Sequence, residues 1–328
     1  LPAMDTPADV VFFEAFEEEA AALRRHLPEE IVARFTWQTI QEAGDVAVPA
    51  PLISVRTQSV IPLSWAGTLE GILTRSTGYD HVTAYRDRVQ VAGLGLGYLP
   101  LYCNRAVAEH AMLLWMALLR RLPRQVRQFS AFHRDGLTGR ECRGRTLVVV
   151  GVGNIGHEVV DVGRGLGMTV LGVDPVRRWP DVTYASFEEA AARADVIVAC
   201  MNLTSENRGF FGRSRLDQIQ PGALLVNVAR GELVDATALL AALESGHLAG
   251  AGLDVYDREP DLAVALRASR ASADAVTAAT LALARREDVV CTPHNAFNTV
   301  ESVERKAAQS VEQVVCFRET GRFLWPVP

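Results

Sequence analysis

Nine residues, Val148-Val-Val-Gly-Val-Gly-Asn-Ile-Gly156, limit what this chain can become more than any other stretch. Thr146 to Val150 is apolar and rich in β-branched residues, the composition of a buried strand. Gly151, Gly153 and Gly156 follow at once in the spacing G-x-G-x-x-G, and His157 to Leu166 continues at a helical period. A second apolar run, Thr169 to Val173, ends at Asp174, eighteen residues past the last glycine. Each part suits a dinucleotide site. Gly151 permits the tight turn, Gly153 lets backbone approach a pyrophosphate, and Gly156 lets the helix pack closely on the sheet. The helix N-terminus turns unpaired N–H groups and a positive dipole toward the phosphates, and Asn154 and Ile155 lie within this cofactor-binding turn. Asp174 can accept hydrogen bonds from the adenosine ribose and would repel a 2′-phosphate. NAD is expected rather than NADP, with Arg177 and Arg178 near enough to argue the other way.

The 328 residues suit two domains, each able to bury its own core. With 49% hydrophobic and 22% charged residues the composition is that of a soluble globular protein. The net charge of −6 comes without a basic stripe, so no nucleic-acid partner is expected. The longest apolar stretch, Ala111 to Leu119, is too short to span a bilayer, and no secretory leader pattern opens the chain. A start at Leu1 rather than Met leaves processing or truncation open. The cysteines at 103, 142, 200, 291 and 316 have no metal-ligand spacing; they read as reduced thiols of a cytoplasmic protein, with no metal expected. Lys306 is the only lysine. Chemistries that need a P-loop lysine or a Schiff-base lysine are thereby nearly excluded.

Read in order, Val10 to Phe16 begins apolar and runs into a helical Glu17 to Arg25. Ile31–Thr36 and Pro51–Val55 are strand-like, with helical material between them. Thr68–Leu73 is a further strand ending in Arg75-Ser-Thr-Gly-Tyr-Asp80, and Val89–Gly97 adds a strand and a glycine-rich turn. This alternation predicts a first α/β domain of roughly a hundred residues. Asn104–Leu122 is a long helix, apolar on most faces, with Glu109 and His110 near its start. It suits an interdomain link and dimer contact, or equally a buried core helix; Pro123 and a basic helix to Arg134 follow. Six strands with intervening helices come next: 146–150, 169–173, 195–200, 223–228, 250–255 and 289–291. They predict a doubly wound parallel sheet. The Ala-rich 261–286 is expected to be helical in its second half. An amphipathic helix over 300–319 is expected to fold back onto the first domain. Residues 1–103 with 299–328 would then form a discontinuous substrate domain, and 104–298 the dinucleotide domain.

In an open α/β sheet ligands bind beyond the carboxyl ends of the strands. Arg230, Glu259 and His294 all fall there. Their types match hydride transfer to a 2-oxo acid. Arginine clamps a carboxylate in a planar fork and polarises the ketone. Histidine gives the alkoxide its proton, and a carboxylate beside it orients the ring and favours the imidazolium. Singly, each also reads as an ordinary residue: a structural histidine, a capping arginine, a Glu-Pro turn.

Together the three segments resemble the signatures of the D-isomer-specific 2-hydroxyacid dehydrogenases, and the resemblance covers nearly the whole chain. Asn227–Asp235 looks like that family's N-x-x-R-G-x-x-V-D, Gly252–Pro260 like its D-V-x-x-x-E-P, and Thr292–Ala296 like its T-P-H-x-A. Pro100 to Ala111 and the long 261–286 segment resemble the D-lactate dehydrogenase branch. The resemblance implies two Rossmann-like or flavodoxin-like domains, an active site in the interdomain cleft, and commonly a homodimer. It makes His294 the acid/base, Glu259 its partner and Arg230 the residue that orients substrate. It gives Asp254 the nicotinamide carboxamide, and Asn202, Val228, Ala229, Arg230 and His294 further cofactor contacts. Ser76, Thr77 and Gly78 would hold the substrate carboxylate through backbone, with Arg56 and Tyr102 near the substrate. Glu259 argues against the formate dehydrogenase branch, which carries glutamine there. The regulatory domain of many phosphoglycerate dehydrogenases is not expected beyond residue 328. Cys200-Met-Asn-Leu-Thr204 departs from the family's His-x-Pro-Leu-Thr, and Asn104-Arg105 from the Pro-Asn of D-lactate dehydrogenases. Arg56 resembles an arginine of the phosphoglycerate-type enzymes, and with Arg105 it motivates an alternative: a phosphonate-bearing or phosphorylated 2-oxo acid, or phosphite. A second alternative is an NAD-sensing scaffold for protein partners.

Overall fold

The computed structural model describes residues 7–267 and 274–328. It divides into two units, one formed by the chain up to Tyr102 together with Asn298–Pro328, the other by Cys103–Phe297. In the first, Val10–Phe12 (β1), Glu17–His26 (α1), Ala33–Phe35 (β2), Ile40–Ala43 (α2), Leu52–Val55 (β3), Gly71–Thr74 (β4), Asp80–Val89 (α3) and Gly95–Gly97 (β5) succeed one another. All pairings are parallel, in the order β2-β1-β3-β4-β5. That is the flavodoxin-like winding. β1, β3 and β4 are buried along their whole length, so they read as unbroken apolar runs rather than alternating ones.

Two expectations shift here. The strand expected at Thr68–Leu73 is Gly71–Thr74, because Thr68 and Leu69 donate to Trp65 O and close a 3-10 turn. Val89 ends α3 instead of opening a strand; Gln90 caps that helix in the left-handed region, and only Gly95–Gly97 pairs. α3 buries only Val82 and Tyr85, too faint an apolar period to stand out in the sequence.

The second unit opens with Asn104–Leu119 (α4), which packs on the sheet and is buried along Ala106, Ala108, Ala111, Leu114 and Trp115. Leu122–Gln128 (α5) follows. Then come Thr146–Val150 (β6), Asn154–Gly165 (α6), Thr169–Val173 (β7), Phe187–Ala191 (α7), Val196–Ala199 (β8), Arg213–Leu216 (α8), Leu224–Asn227 (β9), Ala236–Glu244 (α9), Gly250–Leu253 (β10), Glu259–Arg267 (α10), Ala275–Ala284 (α11) and Val289–Cys291 (β11). The six strands are all parallel, ordered β11-β10-β9-β8-β6-β7. The order reverses between β6 and β8, the switch point at which a nucleotide crevice opens. Glu259-Pro260 is not a plain turn, since it starts α10, where proline at the first positions is well tolerated. In the Ala-rich segment the described residues include α10 and α11, and the part of that expectation that falls on 268–273 lies outside the described residues.

The last helix, Val300–Thr320 (α12), belongs to the first unit and packs along α1. Its Phe317 ring lies over Gly71 and Gly95, where an added Cβ would approach the ring to 2.5 and 2.6 Å. Among the described residues no helix is long and apolar enough to cross a membrane.

Candidate active site

Gly151 follows β6 with φ +91°, a conformation that costs other residues energy, and a Cβ there would collide with the Met201 backbone beyond β8. Gly156 has no room for a side chain either, since a Cβ would strike Gly151 O across the turn. Gly153 is different: a Cβ on it would meet nothing within 4 Å. The chain therefore keeps an open space at the N-terminus of α6, flanked by half-buried Asn154 and Ile155, and a pyrophosphate fits this turn. Asp174 closes the site at the end of β7. Its Oδ2 accepts from Val152 N at 2.7 Å and its Oδ1 from Val176 N at 2.8 Å, which fixes the carboxylate beside the turn. Arg178 reaches Asn154 Oδ1 (3.2 Å) and lies 4.8 Å over the Trp179 ring, whose Nε1 donates to Val152 O. Asn202 is exposed on the β8 side, and its carbonyl accepts from Asn207. Cys200 stands where a histidine was expected; burial pushes its thiol up to about 12, so it stays neutral.

Three turns at the ends of β9, β10 and β11 lock together beside this space. After β9, buried Asn227 brackets the turn, accepting from Ala229 N and donating to Arg230 O. Val228 is buried, and Arg230 Nη1 donates to Ala229 O. Gly231 lets this turn press on the next one, because a Cβ would overlap the Tyr256–Asp257 peptide. The Tyr256 hydroxyl lies 2.8 Å from both Leu253 O and Thr292 O, tying the turn after β10 to the one after β11. Burial, with Cys291 and the nearby carboxylates, raises its pKa, so it remains a neutral donor.

Asp254, 1% exposed, ends β10 and holds the third turn. Its Oδ1 accepts from Thr292 Oγ1 (2.6 Å) and Asn295 N (2.8 Å), and its Oδ2 from Ala296 N (2.9 Å). Burial opposes its charge, but His110, Thr292 and the two backbone N–H groups outweigh burial and keep the carboxyl below its usual range. Because Thr292 donates to Asp254, its oxygen accepts from His110 Nε2 at 3.0 Å, which sets the proton on that nitrogen. His294 sits in this held turn at φ +52°. Its Nδ1 faces both oxygens of Glu259, at 3.0 and 2.9 Å, and the two side chains are 20% and 17% exposed. Nε2 is left to meet a ligand. Glu259 and His294 thus pair beside the turn that carries Arg230, and Thr292, Tyr256 and His110 tie the turns after β10 and β11 together, which the sequence did not reveal. Its one signal was a histidine at the start of an apolar helix.

In the first unit, Arg56 and the Arg75–Gly78 turn stand at the carboxyl ends of adjacent β3 and β4, joined by Arg75 N to Val55 O at 2.8 Å. Glu14 accepts from the backbone of Arg56, Gln58 and Ser59 and so shapes the turn after β3. Ser76 Oγ donates to Gly78 O at 2.6 Å, so the hydroxyl serves the turn itself, and Thr77 and Gly78 are half-buried. Tyr102 is buried, and its carbonyl accepts from Arg305 Nε and Ser302 Oγ. Arg105, in the second unit, pairs with Glu109 (2.7 Å) and Glu158 (3.6 Å).

Residues 111–296 match the family described as D-isomer specific 2-hydroxyacid dehydrogenase, NAD binding domain. The D-lactate dehydrogenase of Escherichia coli (strain K12) is 32% identical over 241 residues, 71% of this chain and 71% of that one. The aromatic 2-oxoacid reductase of Clostridium sporogenes is 31% identical over 238 residues, 71% and 70% of the two chains. Among solved structures, D-lactate dehydrogenase from Aquifex aeolicus, complexed with NAD and lactic acid, superposes with a TM-score of 0.84 at 29% identity, covering 96% of this chain and 98% of that one. Doubly wound sheet, glycine turn and acid-ended second strand define a dinucleotide-binding domain. The chain belongs to the D-isomer-specific 2-hydroxyacid dehydrogenase family and uses NAD.

Proposed function

We propose that the protein interconverts a small 2-oxo acid and its (R)-2-hydroxy acid, with His294 as acid/base, Glu259 as its partner and Arg230 orienting substrate. The observation that carries this reading is the two-oxygen contact of Glu259 with His294 Nδ1, in a turn locked to the one bearing Arg230. In reduction, the Arg230 fork grips the substrate carboxylate and draws electron density from the ketone. His294 Nε2 gives its proton to the oxygen as the alkoxide forms, and Glu259 stabilises the imidazolium beforehand. NADH, when bound, supplies the hydride that reaches C2. In oxidation His294 takes the proton back. Ser76, Thr77 and Gly78 hold the substrate carboxylate through backbone N–H groups. Asp254 gives the cofactor's carboxamide its acceptor from Oδ2, since Oδ1 already takes two donors.

A relative named for lactate and one named for aromatic 2-oxo acids are similar to this chain at nearly equal identity. The shared class is therefore the 2-oxo acid, not one side chain. A substrate with a second anionic group has one observation in its favour: Arg56 stands at the carboxyl end of β3, next to the Arg75–Gly78 turn that follows β4. Five free cysteines suit a reducing, cytoplasmic setting. A homodimer suits the apolar side chains exposed on and after α4: Leu113, Leu122, Val126, Phe129 and Phe132.

The test is NADH oxidation at 340 nm over 2-oxo acids with neutral, aromatic and anionic side chains. His294→Ala should lose roughly 10²–10⁴ in turnover on the best of them while NADH binding persists. Undiminished turnover would remove His294 from the reaction. Loss in Arg56→Ala confined to dianionic substrates would select the second-anion class.

A further inference from the structure

At the end of the second unit's sheet away from the glycine turn lies a cavity of about 550 Å³ lined by Arg121, Arg124, Arg140, Arg285 and Arg286. Two acids, Glu287 and Asp288, share the wall. Both are already committed. Asp288 takes Arg286 through both oxygens at 2.8 Å, and Glu287 pairs with Arg127 at 3.0 Å. Among the described residues no carboxylate lies in ion-pair contact with Arg121, Arg124, Arg140 or Arg285. Two of these are anchored by backbone: Arg121 Nη1 donates to Gly136 O at 2.8 Å and Arg140 Nη1 to Gly222 O at 3.2 Å. The floor is apolar, formed by Leu118, Leu119 and Leu224.

Four uncompensated guanidinium groups around one small concavity repel one another, because their spacing is comparable with the screening length of about 8 Å at physiological salt. A concave wall of one sign focuses the field on whatever enters it. In a chain of net charge −6 this is a local reversal of sign. Each guanidinium offers a planar fork that fits phosphate or carboxylate oxygens. The apolar floor leaves room for a small carbon skeleton beneath them.

We propose that this cavity is an effector site for a small polyanion, an organic phosphate or a polycarboxylate. Its position supplies the coupling. β9 and β10 begin at Leu224 and just after Ala249, and β11 just after Asp288, all at the cavity; the same strands deliver Arg230, Asp254 and His294 at their other ends. α4 ends there with Leu118 and Leu119, and one face earlier carries His110, which touches Thr292. An anion drawing the arginines inward acts on the elements that set the catalytic turns.

The test uses the full chain saturated with NADH, so that the cofactor site is filled. Pyrophosphate and citrate are added against sodium chloride of equal ionic strength. Either should raise the thermal midpoint by roughly 5 °C at about a hundredfold excess over its Kd, and should change KM for the 2-oxo acid at least twofold. A larger response to pyrophosphate assigns the phosphate class, and a larger response to citrate the polycarboxylate class. Arg124→Ser with Arg285→Ser should abolish both effects and keep basal turnover. A response equal to that of chloride, or one that survives the double variant, would overturn the site. Binding without kinetic change would leave an adventitious ion only. Dissociation of an oligomer by the double variant, with no anion effect in the parent, would make the cavity an interface between copies instead.

Discussion

Lys306, the chain's single lysine, has no exposed side-chain surface, and neither do Glu19 and Arg75 beside it. Glu19 Oε1 lies 2.7 Å from Lys306 Nζ and 2.8 Å from Arg75 Nε, and Arg75 also donates to Ser54 Oγ and Phe13 O. Burial works against the charge on Glu19, yet Arg75 and Lys306 hold its carboxyl well below the usual range. Burial pushes the Lys306 ammonium down to about 7, helped by Arg56 and Arg75 and opposed by Glu19. Two buried cations on one anion are over-charged by one, so the partners should respond unequally to removal. Glu19→Gln strands both cations and should cost about 3–5 kcal/mol, whereas Lys306→Met leaves a balanced Glu19–Arg75 pair and should be near neutral or stabilising at pH 7. Urea unfolding of the two variants decides it; equal losses would refute the imbalance. The pH sign follows from linkage. Between about 7 and the ordinary lysine value the unfolded chain binds the more protons, so the Lys306 contribution makes stability rise with pH across that window. Glu19 contributes above its unfolded value and loses that contribution as pH falls toward about 2. Lys306→Met should flatten the alkaline rise.

The turns that bear the proposed acid/base and arginine pack sharply enough to test with a methyl group. Gly231→Ala would drive a Cβ into the Tyr256–Asp257 peptide and shift the Arg230 turn against the Glu259 turn. Turnover should fall by roughly 10²-fold, as for an ångström of misplacement, with NADH fluorescence titration unchanged. Gly165→Ala, at the end of α6 where nothing lies within 4 Å, should keep full turnover. An equal loss in both would point to general damage rather than to the turn. The same contrast explains what could be read before the fold was seen. β6, β7 and β11 fall where their β-branched runs placed them, and β6, inside the sheet and buried over its last four residues, is written as a continuous apolar block. Arg230 and His294 could be singled out because each stands in a short turn just past a strand, and Glu259 because it follows such a turn at the start of α10. Tyr256 with Thr292, Thr292 with Asp254 and His110 with Thr292 were not: these contacts join positions 36, 38 and 182 residues apart, for which no spacing rule exists. α3 was missed because its few buried residues leave no period.

At the scale of the molecule, strand–helix alternation predicted an α/β domain followed by a doubly wound parallel sheet, the family resemblance implied a second such sheet, and two parallel sheets are present. Leu113, Leu122, Val126, Phe129 and Phe132 lie close in sequence on the second unit and are 45 to 75% exposed, apolar surface that suits a partner copy. Sedimentation should therefore give about twice the 35.7 kDa of one chain, and Phe129→Ser with Phe132→Ser should return it toward one chain's mass. A single-chain mass for the parent protein would leave that apolar face without its partner. The route of the chain through α12 has a consequence for biosynthesis. A ribosome makes β1 to β5 first and Lys306 and Phe317 last, after the whole second unit has emerged. Until then Glu19 and Arg75 lack their third member, and the shelf at Gly71 and Gly95 lacks the ring that covers it. The nascent second unit can finish its sheet while the earlier-made one waits for α12.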